Sequence, residues 1–376
     1  MKVAIVHDYI KEYGGAERVL ESMHDIWRDA EIFTSVYLPG FLGPHKARFR
    51  KWEIHTSFMQ NLPFKEKLIS IMRIFSSSIF KAFDFSKFDI IIVSSTGAYI
   101  PNLINKEKAV QICYCHTPPR YLYGYPTARN WKNTFIGQVL GEIINHSLRL
   151  SDYNAAKKVD FYIANSNEVR KRIKKFYRRE ATVIYPPAGL TDGTRPGARA
   201  DRVQRKGDYY LTGGRLARSK HIDLIISAAN KMKFKLKIFG KAFAGYNNEL
   251  RNIAGDSVEF TGEVDDFRLS ELYRNCRALI YASEYEDFGI MPVEAQKFGR
   301  PVIAFRSGGV TESIVEGKTG IFFDKLAVES VISAIKKFEK TSLKREDCIK
   351  NAAKFSLRRF QEELVKFVNN SREAGL

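Results

Sequence analysis

Cysteine is scarce in this chain: four residues in 376, Cys113, Cys115, Cys276 and Cys348. Their spacing fits no disulfide framework, which excludes a stapled secreted scaffold and points to a reducing compartment. No uncharged apolar run reaches the ~18 residues that a spanning helix needs. The start, Lys2-Val-Ala-Ile-Val6, reads as a core strand and not as a signal peptide. The Gly-x-Gly-x-x-Gly dinucleotide fingerprint is missing after both strands that open a half of the chain. Acidic residues are the minority, 42 against 61 Lys and Arg, for a formal net charge of +19. That excess favours an anionic partner: nucleic acid, an acidic membrane face or a phosphorylated substrate. No aromatic-basic motif accompanies it, so nucleic acid is not expected.

What is present is ordinary globular material, 44% apolar, long enough for two domains. Apolar strands alternate with helix-like runs: Val3 to Val6, Phe88 to Val93, Ala109 to Cys115, Phe161 to Ala164 and Thr182 to Tyr185. Such βαβ alternation implies a parallel sheet. Pro186-Pro187 and a glycine- and arginine-rich stretch break the rhythm. It restarts at Tyr209 to Thr212 and runs through Lys235 to Phe239, Val258 to Thr261, Arg277 to Ala282, Pro301 to Phe305 and Thr319 to Phe323. The expected organisation is an N-terminal Rossmann-like domain (1–187), a linker (188–208), a second Rossmann-like domain (209–355) and a C-terminal helix (356–376) packing back on the first. The fold class is α/β, two parallel-sheet domains facing a central cleft.

The most informative segment is Glu286-Asp-Phe-Gly-Ile-Met-Pro-Val-Glu294. It joins a strand to a helix. Gly289 permits a tight turn, and Pro292 suits the first helical turn. The helix start would aim free N–H groups at an anion, with one carboxylate on the loop before it and one about a turn inside. That suits a diphosphate flanked by hydroxyl-rich groups, as in a nucleotide sugar. Arg215 and Lys220 follow Gly213-Gly214 on another strand-to-helix connection. Two cations there can converge on one diphosphate and offset charge on a departing nucleoside diphosphate. The bland alternative is a solvated basic loop.

His116 ends a strand, at the edge where open parallel sheets bind ligands; a structural hydrogen-bonder is the competing reading. Cys113 and Cys115 fall on one strand face and His116 on the other, so they make no metal cluster. Gly14-Gly15 could let backbone approach a phosphate or an acceptor. Glu17, at the mouth of the next helix, reads as a favourable N-terminal charge. Lys65 to Lys87 reads as a core helix with a solvated face, an acidic membrane being the alternative. Arg170-Lys-Arg172, Lys174-Lys175 and Arg178-Arg179 read as a solvated face or a cradle for a lipid diphosphate.

Taken together, Arg215…Lys220, Glu286…Glu294, Gly14-Gly15-Ala-Glu17, Tyr114-Cys-His116-Thr-Pro118, Ile163-Ala-Asn-Ser166 and Val183-Ile-Tyr-Pro-Pro187 resemble the retaining glycosyltransferases of family 4, which have the GT-B fold. Glu-Asp-Phe-Gly-Ile with Pro-Val-Glu-Ala is similar to mannosyltransferases that build surface polysaccharides from GDP-mannose. The resemblance implies that Glu286 meets donor-sugar hydroxyls and Glu294 the ribose. Arg215 and Lys220 hold the diphosphate. Phe288, Gly289, Ile290 and Met291 meet sugar and phosphate, Gly262 and Val264 border the base, and Gly14, Gly15 and His116 contribute from the first domain. No metal or cofactor is implied, and no Asp-x-Asp occurs. The expected activity is transfer of a hexose, mannose from GDP-mannose, to a glycan or lipid-diphosphate-linked acceptor. It is placed in the cytoplasm, at the inner face of the membrane. A UDP-sugar enzyme and a non-catalytic basic binding protein on the same scaffold are the rivals.

Overall fold

The computed structural model describes residues 1–125, 135–190, 207–241 and 245–375, with backbone alone for 135–140 and 375. Two compact units result: Met1–Pro186 with Arg358–Leu376, and Pro187–Leu357. The first holds β1 (Val3–His7), β2 (Glu31–Thr34), β3 (Ile54–Thr56), β4 (Ile90–Ser95), β5 (Val110–Cys115), β6 (Phe161–Ala164) and β7 (Thr182–Val183). They form one sheet in the order β3-β2-β1-β4-β5-β6-β7. The second holds β8 (Tyr209–Gly213), β9 (Leu236–Phe239), β10 (Val258–Gly262), β11 (Cys276–Tyr281), β12 (Val302–Phe305) and β13 (Gly320–Phe323), ordered β10-β9-β8-β11-β12-β13. Every pairing in both sheets is parallel. Each sheet reverses strand order beside its first strand, at β1/β4 and at β8/β11. Such switch points, beyond the strand carboxyl ends, are where open α/β sheets bind ligands.

The central strands β1, β4 and β5 are buried along their whole length. Alternation divides their side chains between two cores. Ile5, Ile92 and Ile112 face Val19, Leu20 and Met23 of the helix Gly15–Ile26. Ala4, Val6, Ile91 and Val93 face Met59, Ile79 and Phe80. The helix Leu357–Gly375 places Phe360, Leu364 and Val368, four residues apart on one stripe, in the first of these cores. In the second unit, Ile225, Ile226 and Ile335 cover one sheet face; Tyr273, Phe298 and Val310 cover the other.

Of the expected linker, Ala188 donates its N–H to the Phe355 carbonyl at 2.9 Å, and Leu190 is buried with Tyr209 and Leu211. Its glycine- and arginine-rich part, 191–206, lies outside the described residues. The Lys65 to Lys87 helix needs correcting. It breaks into Lys65–Met72 and Ser76–Lys81 around a 3-10 turn, Arg73–Phe75. The Ser76 hydroxyl donates back to the Arg73 carbonyl, at 2.6 Å, in that turn. Met72, Ile79 and Phe80 reach the core, while Phe64, Ile71, Ile74 and Phe75 stay exposed.

Candidate active site

Lys220 ends the short turn Arg218–Lys220 that follows β8, and Tyr281 ends β11. These strands are neighbours, so both residues arrive at the switch point of the second sheet. The Lys220 ammonium lies 3.1 Å from the Tyr281 hydroxyl and 3.1 Å from Ser283 Oγ, and it is ion-paired with Glu286. Glu286 Oε2 also accepts from Tyr281, at 2.8 Å, and from Ser283. Burial and the adjacent Glu286 charge push the Tyr281 phenol well above its ordinary range, so it remains a neutral donor. Lys220 and Glu286 keep 22% and 15% side-chain exposure, enough for a solute to reach them.

The backbone fixes this carboxylate from behind. Gly309 donates its N–H to the Glu286 carbonyl at 2.9 Å. At Gly308, where φ is +59°, an added Cβ would stand 2.2 Å from the same carbonyl oxygen. Only glycine permits that approach. Gly289, at φ +84°, caps the helix Ile290–Lys297. Pro292 falls on its third residue, where no intrahelical N–H bond is lost. Glu294, buried one turn in, accepts from Tyr273 Oη at 3.1 Å. Phe288 is buried against Phe355, ring centres 5.4 Å apart, while Ile290 and Met291 are half-buried.

The structure therefore brings Lys220 and Glu286 together and seats Glu294 in the helix Ile290–Lys297 that follows Glu286. Arg215 lies exposed on the turn after Gly213-Gly214. Gly262 and Val264 lie at and beyond the end of β10, two strands from β8; the Gly262 carbonyl accepts from Gly240 at 2.7 Å.

In the first unit, His116 stands one residue past β5 and is buried. Its Nε2 lies 3.0 Å from Ser94 Oγ at the end of β4. Ser94 Oγ lies 3.0 Å from His7 Nδ1 at the end of β1. His7 Nε2 is 3.7 Å from Glu17 Oε1, and the other Glu17 oxygen accepts the Gly14 N–H at 2.8 Å. Burial, reinforced by neighbouring His7, lowers His116 to about 3, so its imidazole is neutral. Glu17 is held below the ordinary carboxylate range: burial opposes its charge, but His7 and the Gly14 N–H outweigh that. Gly14 and Gly15 sit at the start of this helix, Gly14 in extended backbone.

Next to His7, the buried Asp8 carboxylate accepts from the Thr96 and Ala98 N–H groups, at 2.8 and 3.2 Å. The basic cluster after Asn167 divides. Arg172 is buried, donates to Thr117 Oγ1 at 3.2 Å and stacks on Tyr125; Arg170, Lys174 and Lys175 face solvent.

Sequence reasoning missed His7, Asp8, Ser94, Tyr281 and Ser283 as members of these clusters. A signal existed: each is the first or second polar residue after a buried parallel strand's apolar run, where side chains leave the core for the ligand edge.

Residues 13–190 match the family model "Glycosyltransferase Family 4", and residues 198–355 match "Glycosyl transferases group 1". The fold and the two half-matches define a glycosyltransferase with two parallel-sheet α/β domains. The chain belongs to glycosyltransferase family 4, of the GT-B fold.

It is 25% identical over 317 residues to the alpha-1,3/1,6-mannosyltransferase ALG2 of Homo sapiens, covering 75% of this chain and 73% of that protein. To the uncharacterized glycosyltransferase MJ1178 of Methanocaldococcus jannaschii it is 26% identical over 175 residues, covering 46% of this chain and 47% of that one. A D-inositol 3-phosphate glycosyltransferase of Nocardiopsis dassonvillei is 27% identical over 189 residues, 44% of each chain. Among solved structures, Anabaena Alr3699/HepE in complex with UDP and glucose superposes with a TM-score of 0.70 at 17% identity, covering 98% of this chain and all of that one. Sucrose-phosphate synthase from Thermosynechococcus elongatus superposes at 0.75 and 15% identity, covering both chains fully.

Proposed function

We propose that the protein is a retaining hexosyltransferase that moves mannose from GDP-mannose to a glycan or lipid-diphosphate-linked acceptor. The observation that carries this reading is the Lys220–Glu286 pair, tied to Tyr281 and Ser283 at the β8/β11 switch point. Beside it the Gly289-capped helix presents the free N–H groups that anions favour. In the reaction, the bond between the anomeric carbon and the phosphate oxygen breaks. The acceptor hydroxyl bonds to that carbon from the same face, and its proton passes to the departing diphosphate. Lys220, with Arg215, offsets the charge arriving on the leaving group. Glu286 receives sugar hydroxyls and Glu294 the ribose. No metal or other cofactor is assigned a role. Mannose is supported by the likeness to ALG2 over three quarters of the chain.

Contact with an anionic membrane surface belongs to the same reading. Phe58, Phe64, Ile71, Ile74 and Phe75 are exposed, interleaved with Lys65, Lys67 and Arg73. Apolar anchors among cations suit the interface of an acidic leaflet. Among the described residues no helix is long and apolar enough to cross a membrane. The four cysteines are free and buried, which suits the cytoplasmic face.

The test is thermal stabilisation by GDP, UDP and ADP, followed by NMR of the product formed from the best donor sugar. Stabilisation by GDP and an α-mannoside product are expected. Stabilisation by UDP alone overturns the mannose reading and leaves the family assignment standing.

A further inference from the structure

His116, Ser94, His7 and Glu17 form a line across four adjacent elements: the end of β5, the ends of β4 and β1, and the first turn of the helix Gly15–Ile26. A serine hydroxyl has a single proton. Placed 3.0 Å from an imidazole nitrogen on either side, it donates to one and accepts from the other. With each imidazole carrying one proton, the line has one of two directions. In the first, His7 carries its proton on Nε2 and accepts from Ser94 at Nδ1. Ser94 in turn accepts from Nε2–H of His116, and His116 keeps a bare Nδ1. In the second, every proton is reversed, and His7 turns a bare Nε2 lone pair toward Glu17.

Glu17 decides between them. Its carboxylate oxygen lies 3.7 Å from His7 Nε2, beyond a normal hydrogen bond but well within reach of its charge. A negative oxygen favours an N–H dipole over a lone pair. Both residues are buried, His7 completely, so little water screens the choice. Glu17 is itself anchored by the Gly14 N–H, which holds the carboxylate in place. At the far end, no described residue hydrogen-bonds His116 Nδ1, and the residue keeps 8% exposure.

We infer that Glu17, acting through His7 and Ser94, sets the tautomer of His116, so that His116 Nδ1 is a hydrogen-bond acceptor for a sugar hydroxyl. Glu17, His7 and Ser94 are positioning residues; His116 is the group that meets the ligand. The hydroxyl assignment rests on the glycosyl-transfer reading, whereas the tautomer does not. An acceptor nitrogen selects a hydroxyl that points its proton inward and rejects a bare carbonyl or ether oxygen at that place.

The experiment is a long-range ¹H–¹⁵N spectrum of the full chain labelled at histidine, with the wild type compared to Glu17→Gln and Ser94→Ala. Circular dichroism checks that each variant is folded. In the wild type, His116 is expected to carry its proton on Nε2. Glu17→Gln removes the charge at constant shape and should bring a mixed tautomer at both His7 and His116. Ser94→Ala should leave His7 as in the wild type and mix the tautomers of His116 alone. A wild-type His116 protonated on Nδ1, or an unchanged His116 pattern in both folded variants, overturns the inference.

For the hydroxyl, turnover of the best donor should fall about tenfold in both variants, with GDP stabilisation unchanged. Full turnover alongside a shifted tautomer removes that half. Correct tautomers with no donor turned over by the wild type would mean that the glycosyl-transfer reading had failed while the relay stood.

Discussion

Lys220 and Glu286 are 66 positions apart in sequence and ion-paired in the structure, with Tyr281 and Ser283 bonded to both. A lysine so held is aimed before any ligand arrives. That reduces the reorganisation needed when charge develops on a leaving diphosphate. Lys220→Ala and Glu286→Ala should each lower turnover by ~10²–10³-fold, the usual effect of losing one such electrostatic group. The double variant should lose much less than the product of the two, because the residues act as a unit. Donor consumption by folded variants measures it, and multiplicative losses would show two independent roles.

Gly308→Ala tests the backbone support of that pair. The added methyl carbon meets the Glu286 carbonyl oxygen at 2.2 Å, and φ of +59° is itself unfavourable for alanine. A destabilisation of about 1–3 kcal/mol is expected. Thermal unfolding would register it, and turnover should fall with it because Glu286 must shift.

Asp152 supplies a pH dependence. Its carboxyl is buried, accepts from Tyr123 Oη at 2.8 Å, and is raised to about 7, chiefly by desolvation. The unfolded chain ionises near the ordinary value of 3.8. Between these points the folded state retains a proton that the unfolded state releases, so stability falls as pH rises from about 4 to about 7 and levels off above. Asp152→Asn keeps an acceptor for Tyr123 without the ionisation. It should flatten the melting temperature between pH 5 and pH 8 and exceed the wild type at pH 8. A wild-type melting temperature that climbs across this range in parallel with the variant would be inconsistent with a raised Asp152.

The exposed apolar set in 58–75 predicts vesicle binding. Cosedimentation with phosphatidylserine-containing vesicles should exceed that with neutral ones and weaken with salt. Phe64→Ser with Ile71→Ser should reduce it severalfold while leaving the melting temperature near that of the wild type, since both side chains face solvent. Equal binding by the variant would locate the contact elsewhere.

How much of this was legible beforehand follows from chain locality. Strands such as Phe161–Ala164 and helices such as Ile222–Met232 are readable because their apolar patterns are uninterrupted and their ends are marked. The strand Glu31–Thr34 and its edge neighbour Ile54–Thr56 are not, being four and three residues long and formed by pairing along one line of the sheet. Lys220, Glu286 and His116 stand out as chemistry at strand ends. Their partners do not, because Ser94, Ser283 and Tyr281 are residue types that occur anywhere. Only the sheet order brings β1, β4 and β5 side by side, and with them His7, Ser94 and His116. Glu17 is legible as a favourable charge at a helix start, but its second neighbour, His7, is visible only in three dimensions.

Phe360 is fully buried in the first unit's core, beside Ile5 and Ile112. Phe360→Ala should cost about 3–5 kcal/mol, the range for emptying a large aromatic site. Two-probe unfolding should show the loss in the first unit, with tryptophan as its reporter: Trp27 and Trp52 belong to it, and no tryptophan occurs in 187–357. Loss confined to the second unit would contradict the packing.

That placement of Phe360, Leu364 and Val368 reverses the order in which the halves can mature during synthesis. A ribosome that has released only residues 1–186 has made a sheet with an uncovered stripe. The later half, 187–357, has its whole core in hand before the last helix emerges. The earlier half is thus sealed last, and stop codons placed shortly before Phe360 should leave a well-formed carboxyl-side lobe tethered to an incompletely closed amino-terminal one.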